Sequence, residues 1–62
     1  MRIRYLVRGH SAVTMSLEQA KVILRNEQRD NFVIDDETRQ LAKIEDLTED
    51  SKVTVYPKVI GG

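Results

Sequence analysis

The sequence contains no cysteine and no tryptophan, and only one histidine, one proline and three glycines among its 62 residues. Without cysteine there is no disulfide framework, no thiolate nucleophile and no cysteine-ligated metal site. A zinc site would have to be built around His10 alone and completed mainly with carboxylates, a poor match to the ligands that zinc prefers. We therefore expect no metal and no cofactor bound to this chain.

Long apolar runs are also missing. No stretch approaches the ~20 consecutive apolar residues that a membrane-spanning helix needs. The first residues, 1–5, lack the apolar stretch and small-residue cleavage site of a signal peptide. The sequence therefore predicts a cytoplasmic protein with no membrane partner.

The net charge is zero and aromatic residues make up only 5% of the chain. A neutral chain has no strong global field to draw it to nucleic acid, and few aromatics make a thin stacking platform for bases. Arg2, Arg4 and Arg8 are therefore interpreted as a solvated face or a match to a partner's charges, and nucleic acid is an unlikely partner.

The charges are nevertheless unevenly distributed along the chain. Residues 1–29 carry six basic and two acidic side chains, a net charge of +4, whereas residues 30–62 carry four basic and eight acidic ones, a net charge of −4. The two halves can attract each other in the fold or present two differently charged surfaces. The sequence leaves both arrangements open.

The first segment has the alternation of a half-buried strand. Between residues 1 and 8 the odd positions are apolar and share one face, and the arginines lie on the other, an alternation that only Leu6 interrupts. Residues 9–11 then predict a turn, in which glycine can take a positive φ. A short returning strand over residues 12–15, with Val13 and Met15 inward, completes a predicted hairpin.

A helix follows the hairpin. Ser16 and Gln19 have the spacing of a capping box, which marks a helix start. The apolar stripe that follows predicts a helix of about three turns, ending near residues 29–31. The residues of the stripe are Leu17, Ala20, Ile23 and Leu24, with Gln28 as its extension.

The second half predicts short strands separated by acidic turns. Residues 32–34 indicate a brief strand, residues 35–38 a turn, and residues 41–44 either another strand or a loop. Leu47 is the expected core anchor of the acidic connection that follows. Residues 52–56 alternate again, with Val53 and Val55 inward and Thr54 and Tyr56 outward. Pro57 cannot donate to a ladder and is the expected end of the sheet.

This order of elements predicts an α+β fold: a mixed sheet of four to five strands with one main helix packed on one face. A hairpin, a helical crossover and a last strand beside the first describe the β-grasp, or ubiquitin-like, fold. We expect one monomeric domain over residues 1–57 and a flexible tail over residues 58–62.

The C-terminal segment resembles a known family. Residues 46–62 are similar to the end of the ubiquitin-like sulfur-carrier proteins. They comprise an acidic turn, the strand residues Lys52 to Pro57 and the tail Lys58-Val59-Ile60-Gly61-Gly62. That family includes the small subunit of molybdopterin synthase, the sulfur carrier of the thiamine pathway and archaeal ubiquitin-like modifiers. Two departures are that Glu49-Asp50-Ser51 stands where the family often has Asp-Gly-Asp, and that the Arg-Leu-Arg run of eukaryotic ubiquitin is missing.

The resemblance implies a function for the last two glycines. In that family a partner enzyme adenylates the C-terminal carboxylate with ATP, and the acyl-adenylate becomes a thiocarboxylate or a thioester. Gly62 would carry the activated carboxylate, and glycine lets the partner and the nucleotide approach closely. The chain itself would not be an enzyme. The implied partners are an adenylating enzyme of the ubiquitin-activating type and a sulfurtransferase or the large subunit of a synthase. The residues expected to contact them are Gly61, Ile60, Val59, Lys58, Pro57 and Tyr56.

An alternative leaves the diglycine without a role. The chain would then be a non-catalytic ubiquitin-like interaction or assembly module, and removing Gly61 and Gly62 would leave partner binding intact. Tyr56 fits both readings, since it can pack against the domain or contact a partner.

Overall fold

The computed structural model describes residues 1–6 and 11–58. Within these residues the chain forms an α+β structure of one α-helix, one short 3₁₀-helix and one four-stranded mixed sheet. The elements are β1 (Arg2–Tyr5), β2 (Ala12–Thr14), α1 (Leu17–Asp30), β3 (Asn31–Asp35), the 3₁₀-helix Ile44–Asp46 and β4 (Lys52–Pro57). The predictions made for Val7, Arg8, Gly9, His10 and the tail positions 59–62 lie outside the described residues.

The strands lie in the order β2-β1-β4-β3. β1 pairs antiparallel with β2 and parallel with β4, and β4 pairs antiparallel with β3. The parallel pair requires a crossover between the first and the last strand, which α1 and the connection to β4 provide. The first and last strands are therefore neighbours at the centre of the sheet, as the sequence predicted.

One face of the sheet is covered by α1 and by the 3₁₀-helix. Its central row places Ile3 beside Val53, and a second row places Val55 beside Val33. All four side chains are buried, Ile3 completely. The core closes with side chains from the other elements, namely Met1, Ala20, Leu24, Ile44 and Leu47. The predicted inward positions Val53, Val55 and Leu47 are confirmed.

Val13 was expected to face inward, and this prediction is wrong as far as burial is concerned. Val13 lies opposite Ile3 in the antiparallel register and so shares its face of the sheet. It is nevertheless 42% exposed, because β2 is an edge strand of three residues and no other described strand pairs with its outer side. Met15, one step beyond β2, is half-buried and packs on the core as predicted.

The helix begins and ends where the sequence indicated. The Ser16 hydroxyl accepts a hydrogen bond from the Gln19 amide at 3.3 Å, so the predicted cap is formed. With 14 residues α1 is nearly four turns long rather than three. Gln28 does not extend the buried stripe. It is exposed, because burying its amide without a partner would cost free energy.

The connection from β3 to β4 contains a short hairpin-like return. Leu41 forms an isolated antiparallel bridge with Ile34, and the Ala42 amide donates to the Val33 carbonyl at 2.9 Å. The chain then turns through the 3₁₀-helix, which buries Ile44. The segment 41–44 is therefore neither a full strand nor a loop without pairing.

Thr54 was expected to face solvent, and it is only 2% exposed. Its side chain does lie on the uncovered face, as the alternation of β4 predicts, but the turn after β3 covers it. The Thr54 hydroxyl donates to Asp36 Oδ1 at 2.6 Å. The Asp36 amide also donates to the Lys52 carbonyl at 2.9 Å, which fixes this turn at the start of β4.

Candidate functional site

Three of the predicted partner-binding residues lie at the end of β4 and just beyond it, namely Tyr56, Pro57 and Lys58. Tyr56 lies opposite Phe32 of β3 and is 40% exposed, and Pro57 lies opposite Asn31 and is half-buried. β4 ends at Pro57, where the missing amide was expected to end the ladder. The other four predicted positions, Val59, Ile60, Gly61 and Gly62, lie outside the described residues.

Lys58 contacts the corner where α1 ends and β3 begins. Its ammonium donates to the Gln28 carbonyl at 3.4 Å and lies 5.3 Å from the centroid of the Phe32 ring. A cation is favoured at this end of a helix, where free carbonyls concentrate partial negative charge, and over the face of an aromatic ring. Through these two contacts Lys58 packs against Phe32 and the C-terminal end of α1.

The face of the sheet that α1 does not cover exposes a group of apolar side chains. Phe32 is 44% exposed and Leu41 64% exposed. Leu41 lies beside Ile34 through the isolated bridge, and Phe32 lies beside Tyr56. Because directly paired residues share a face and residues two apart on one strand do too, these four side chains form one surface. We call this surface of Phe32, Ile34, Leu41 and Tyr56 the open-face patch.

Cationic side chains border the open-face patch. Arg4 of β1 lies beside Thr54, which lies beside Ile34, so these three residues form one row across the sheet. Arg39, in the turn after β3, lines a cleft together with Arg4 and the aromatic side chains of the patch. Lys58 lies over Phe32. We call Arg4, Arg39 and Lys58 the cationic rim. All three are exposed.

The turn over residues 35–40 contains two carboxylates that accept hydrogen bonds, those of Asp35 and Asp36. Asp35 Oδ1 accepts from the Glu37 amide at 2.8 Å and from the Thr38 amide at 3.3 Å. Asp36 accepts from Thr54, as described above. These are the two carboxylates that line the cleft, and both are engaged within the turn or with β4. The two carboxylates keep their negative charge, so the cleft carries two cationic and two anionic side chains.

Arg39 adopts a left-handed backbone conformation with φ of 60°. Such a conformation costs roughly 1–2 kcal/mol for a residue with a Cβ. It is stabilised here by the close of the turn, where the Arg39 amide donates to the Asp35 carbonyl at 2.7 Å and the Asp35 amide donates to the Gln40 carbonyl at 2.9 Å. A glycine would take this conformation without cost, yet the chain has an arginine that lines the cleft.

The cleft between the turn and the sheet has a volume of about 650 Å³ and is open to solvent. Its apolar lining comes from Phe32, Ile34 and Tyr56, and its charged lining from Arg4 and Arg39 together with the engaged carboxylates. The cleft therefore combines an apolar floor with edges that carry charges of both signs.

The sequence interpretation missed most of this surface. Residues 32–34 were predicted as one apolar strand without a distinction between its faces. The period-two alternation of a strand would have placed Phe32 and Ile34 on the face opposite Val33. The position of Leu41 beside Ile34 and of Arg39 over the cleft depends on the return of the chain after β3, which no local pattern indicates.

Two further observations concern metal sites and membrane-spanning helices. Among residues 1–6 and 11–58 no group of three or more histidine, cysteine, aspartate or glutamate side chains is arranged to hold a metal ion. No helix in the same part of the chain combines the length and the hydropathy needed to cross a membrane.

Comparison of the chain with protein-family models, with curated proteins and with solved structures found no match.

Proposed function

We propose that this chain is a β-grasp carrier or modifier of the ubiquitin-like type, activated by a partner enzyme at the carboxylate of Gly62. The order of the strands supports the fold assignment. An antiparallel β1–β2 hairpin, a helix on one face and a last strand parallel to the first and between it and β3 are the features that the β-grasp requires.

The single observation that carries the functional proposal is the pair of glycines that follows the last strand. A central strand that ends at Pro57 is followed by five residues, the last of which are Gly61 and Gly62. Two consecutive glycines present no Cβ to a narrow active site, so the backbone can lie against a nucleotide. No other group among the described residues offers comparable chemistry.

In the proposed reaction a carboxylate oxygen of Gly62 attacks the α-phosphorus of ATP in the partner enzyme, and pyrophosphate leaves. The acyl-adenylate is then attacked by a sulfur nucleophile, with AMP as the leaving group, which gives a thiocarboxylate or a thioester. The partner supplies the catalytic groups. This chain supplies the acyl group, and alignment of its end with the phosphate accounts for much of the rate.

The experiment is ATP–pyrophosphate exchange with the adenylating enzymes of the host, using the full chain and a chain lacking Gly61 and Gly62. We expect exchange with the full chain and a fall to background with the shortened one. A Val22→Ala variant, changed on the exposed side of α1, is the matched control and should support normal exchange. Exchange that survives loss of both glycines, or that no host adenylating enzyme supports, would contradict the proposal.

A second candidate function is a non-covalent interaction module in which the diglycine has no role. The exposure of Phe32, Leu41 and Tyr56 on one face favours it, since contiguous apolar surface often marks a partner site. Under this alternative, the shortened chain retains every activity of the full one in cells.

A further inference from the structure

We infer that Lys58 is a positioning residue for the activation of Gly62, a role that rests on the proposed function. Its side chain holds the start of the C-terminal tail against Phe32 and the end of α1. Lys58 is the last residue that the structure describes, and four residues follow it in the chain. A segment of four residues reaches at most about 14 Å from its start. Fixing Lys58 therefore limits the space in which the carboxylate of Gly62 can lie.

The contact with α1 joins Lys58 to a rigid corner of the fold. α1 ends at Asp30 and β3 begins at Asn31, with no loop between them. The last carbonyls of a helix lack intrahelical partners, and the amide that would continue the ladder to the Gln28 carbonyl belongs to Phe32, which is already in β3. The Lys58 ammonium donates to this carbonyl at 3.4 Å from 30 positions along the chain. The negative end of the helix dipole favours a cation there.

The contact with Phe32 uses the face of its ring. Phe32 pairs with Tyr56, and Lys58 follows Tyr56 by two residues, the spacing that returns a side chain to the same face of an extended chain. The Lys58 ammonium lies 5.3 Å from the centroid of the ring, within the range of a cation–π interaction. Pro57 pairs with Asn31 and has a φ that its own ring fixes. The backbone before Lys58 and the side chain of Lys58 are thus both held.

The expected effect on activation is moderate. Lys58 is exposed, and a cation–π contact at an exposed site is weak. A partner enzyme must order the tail when it binds, and a tail that is already restricted at its start loses less entropy in that step. We therefore expect Lys58 to lower the KM for this chain and to leave kcat unchanged, since the enzyme itself holds the tail once the complex has formed.

The test is ATP–pyrophosphate exchange with the host adenylating enzyme that accepts the full chain. Lys58→Met keeps a long side chain but removes its charge, and should raise the KM about threefold with no change in kcat. Lys58→Arg should restore the KM, because a guanidinium can also donate to a carbonyl and stack on an aromatic ring. The matched control is Lys43→Met, at an exposed lysine just before the 3₁₀-helix, which should leave both constants unchanged. The circular dichroism of each variant checks that it is folded.

A double-mutant cycle separates positioning from direct contact of Lys58 with the enzyme. Phe32→Leu keeps an apolar side chain but removes the ring. If Lys58 acts through the ring, adding Lys58→Met to Phe32→Leu raises the KM by a clearly smaller factor than adding it to the unaltered chain. If Lys58 contacts the enzyme instead, the two factors multiply and the inference is overturned. A KM that Lys58→Met leaves unchanged overturns it as well.

An NMR measurement tests the restraint without any enzyme. The heteronuclear ¹H–¹⁵N NOE of the Val59 and Ile60 amides reports motion on the picosecond to nanosecond timescale. It should fall in Lys58→Met but not in Lys58→Arg or Lys43→Met, and equal values in Lys58→Met and the unaltered chain would overturn the inference whatever the exchange assay shows. If no host adenylating enzyme supports exchange, the proposed function fails, and the NMR comparison alone decides whether Lys58 restrains the tail.

Discussion

The two faces of the sheet differ in what their side chains do. On the covered face the central rows are Ile3 beside Val53 and Val55 beside Val33, and all four are buried under α1 and the 3₁₀-helix. On the open face the corresponding rows are Arg4, Thr54 and Ile34, and then Tyr56 beside Phe32. The same four strands thus carry a core on one side and an exposed mixture of apolar and cationic side chains on the other.

The difference indicates which residues hold the fold and which are free for other roles. A chain of 62 residues buries only about 60% of the surface that its unfolded form exposes, so its stability depends on few core side chains. Phe32, Leu41 and Tyr56 are large enough to contribute to a core, yet they remain outside it. Changes on the two faces should therefore have different consequences.

The largest effect is expected on the covered side. Leu24 is fully buried between α1 and the sheet, and Leu24→Ala should lower the free energy of unfolding by about 2–5 kcal/mol through lost burial and the cavity left behind. Domains of this size have total stabilities of about 3–9 kcal/mol, so we expect much of the variant population to unfold on mild heating. Urea denaturation measures this effect, and a loss no larger than that of the exposed Val22→Ala would contradict the assigned core.

The turn beside the open face should respond to backbone conformation. Arg39 has a φ of 60°, which glycine adopts freely and a β-branched residue does not. We expect Arg39→Val to be less stable than Arg39→Gly by about 1–2 kcal/mol. Thermal unfolding of the two variants, which both lack the guanidinium, isolates the backbone effect from the charge. Equal stabilities would mean that the left-handed conformation is not retained.

A smaller effect is expected at the polar contact that covers Thr54. Thr54→Val keeps the shape of the side chain but removes the donor to Asp36, and should cost about 1 kcal/mol. The Asp36→Asn variant keeps an acceptor oxygen and should cost less. Urea denaturation of both variants gives the comparison. If Thr54→Val proves neutral, the hydrogen bond does not hold the turn against β4.

The smallest effect is expected in the open-face patch itself. Leu41 is 64% exposed, and Leu41→Thr should change the free energy of unfolding by less than about 0.5 kcal/mol. Threonine is β-branched and suits the extended backbone at the bridge to Ile34. A loss approaching that of Leu24→Ala would show that the patch belongs to the core and would remove the contrast between the two faces.

Several features were predictable because local patterns specify them. Alternation placed Ile3, Val53 and Val55 inward, and the Ser16 cap and the apolar stripe located α1. These signals are local, because a period of two or of 3.6 residues is set by the geometry of the strand or the helix itself. The inward prediction for Val13 gave the correct face but the wrong burial, since burial also depends on what lies beyond the strand.

The sequence by itself determined the order of the main strands and the helix, and it placed most of the core side chains on the covered face. Only the tertiary structure decided that Arg4, Arg39 and Lys58 surround Phe32 and Tyr56, that Leu41 returns beside Ile34, and that Thr54 is buried by Asp36. These residues are far apart in the chain, and strand order and the return after β3 bring them together. Contacts of that kind depend on which strands become neighbours, and no short stretch of sequence encodes that choice.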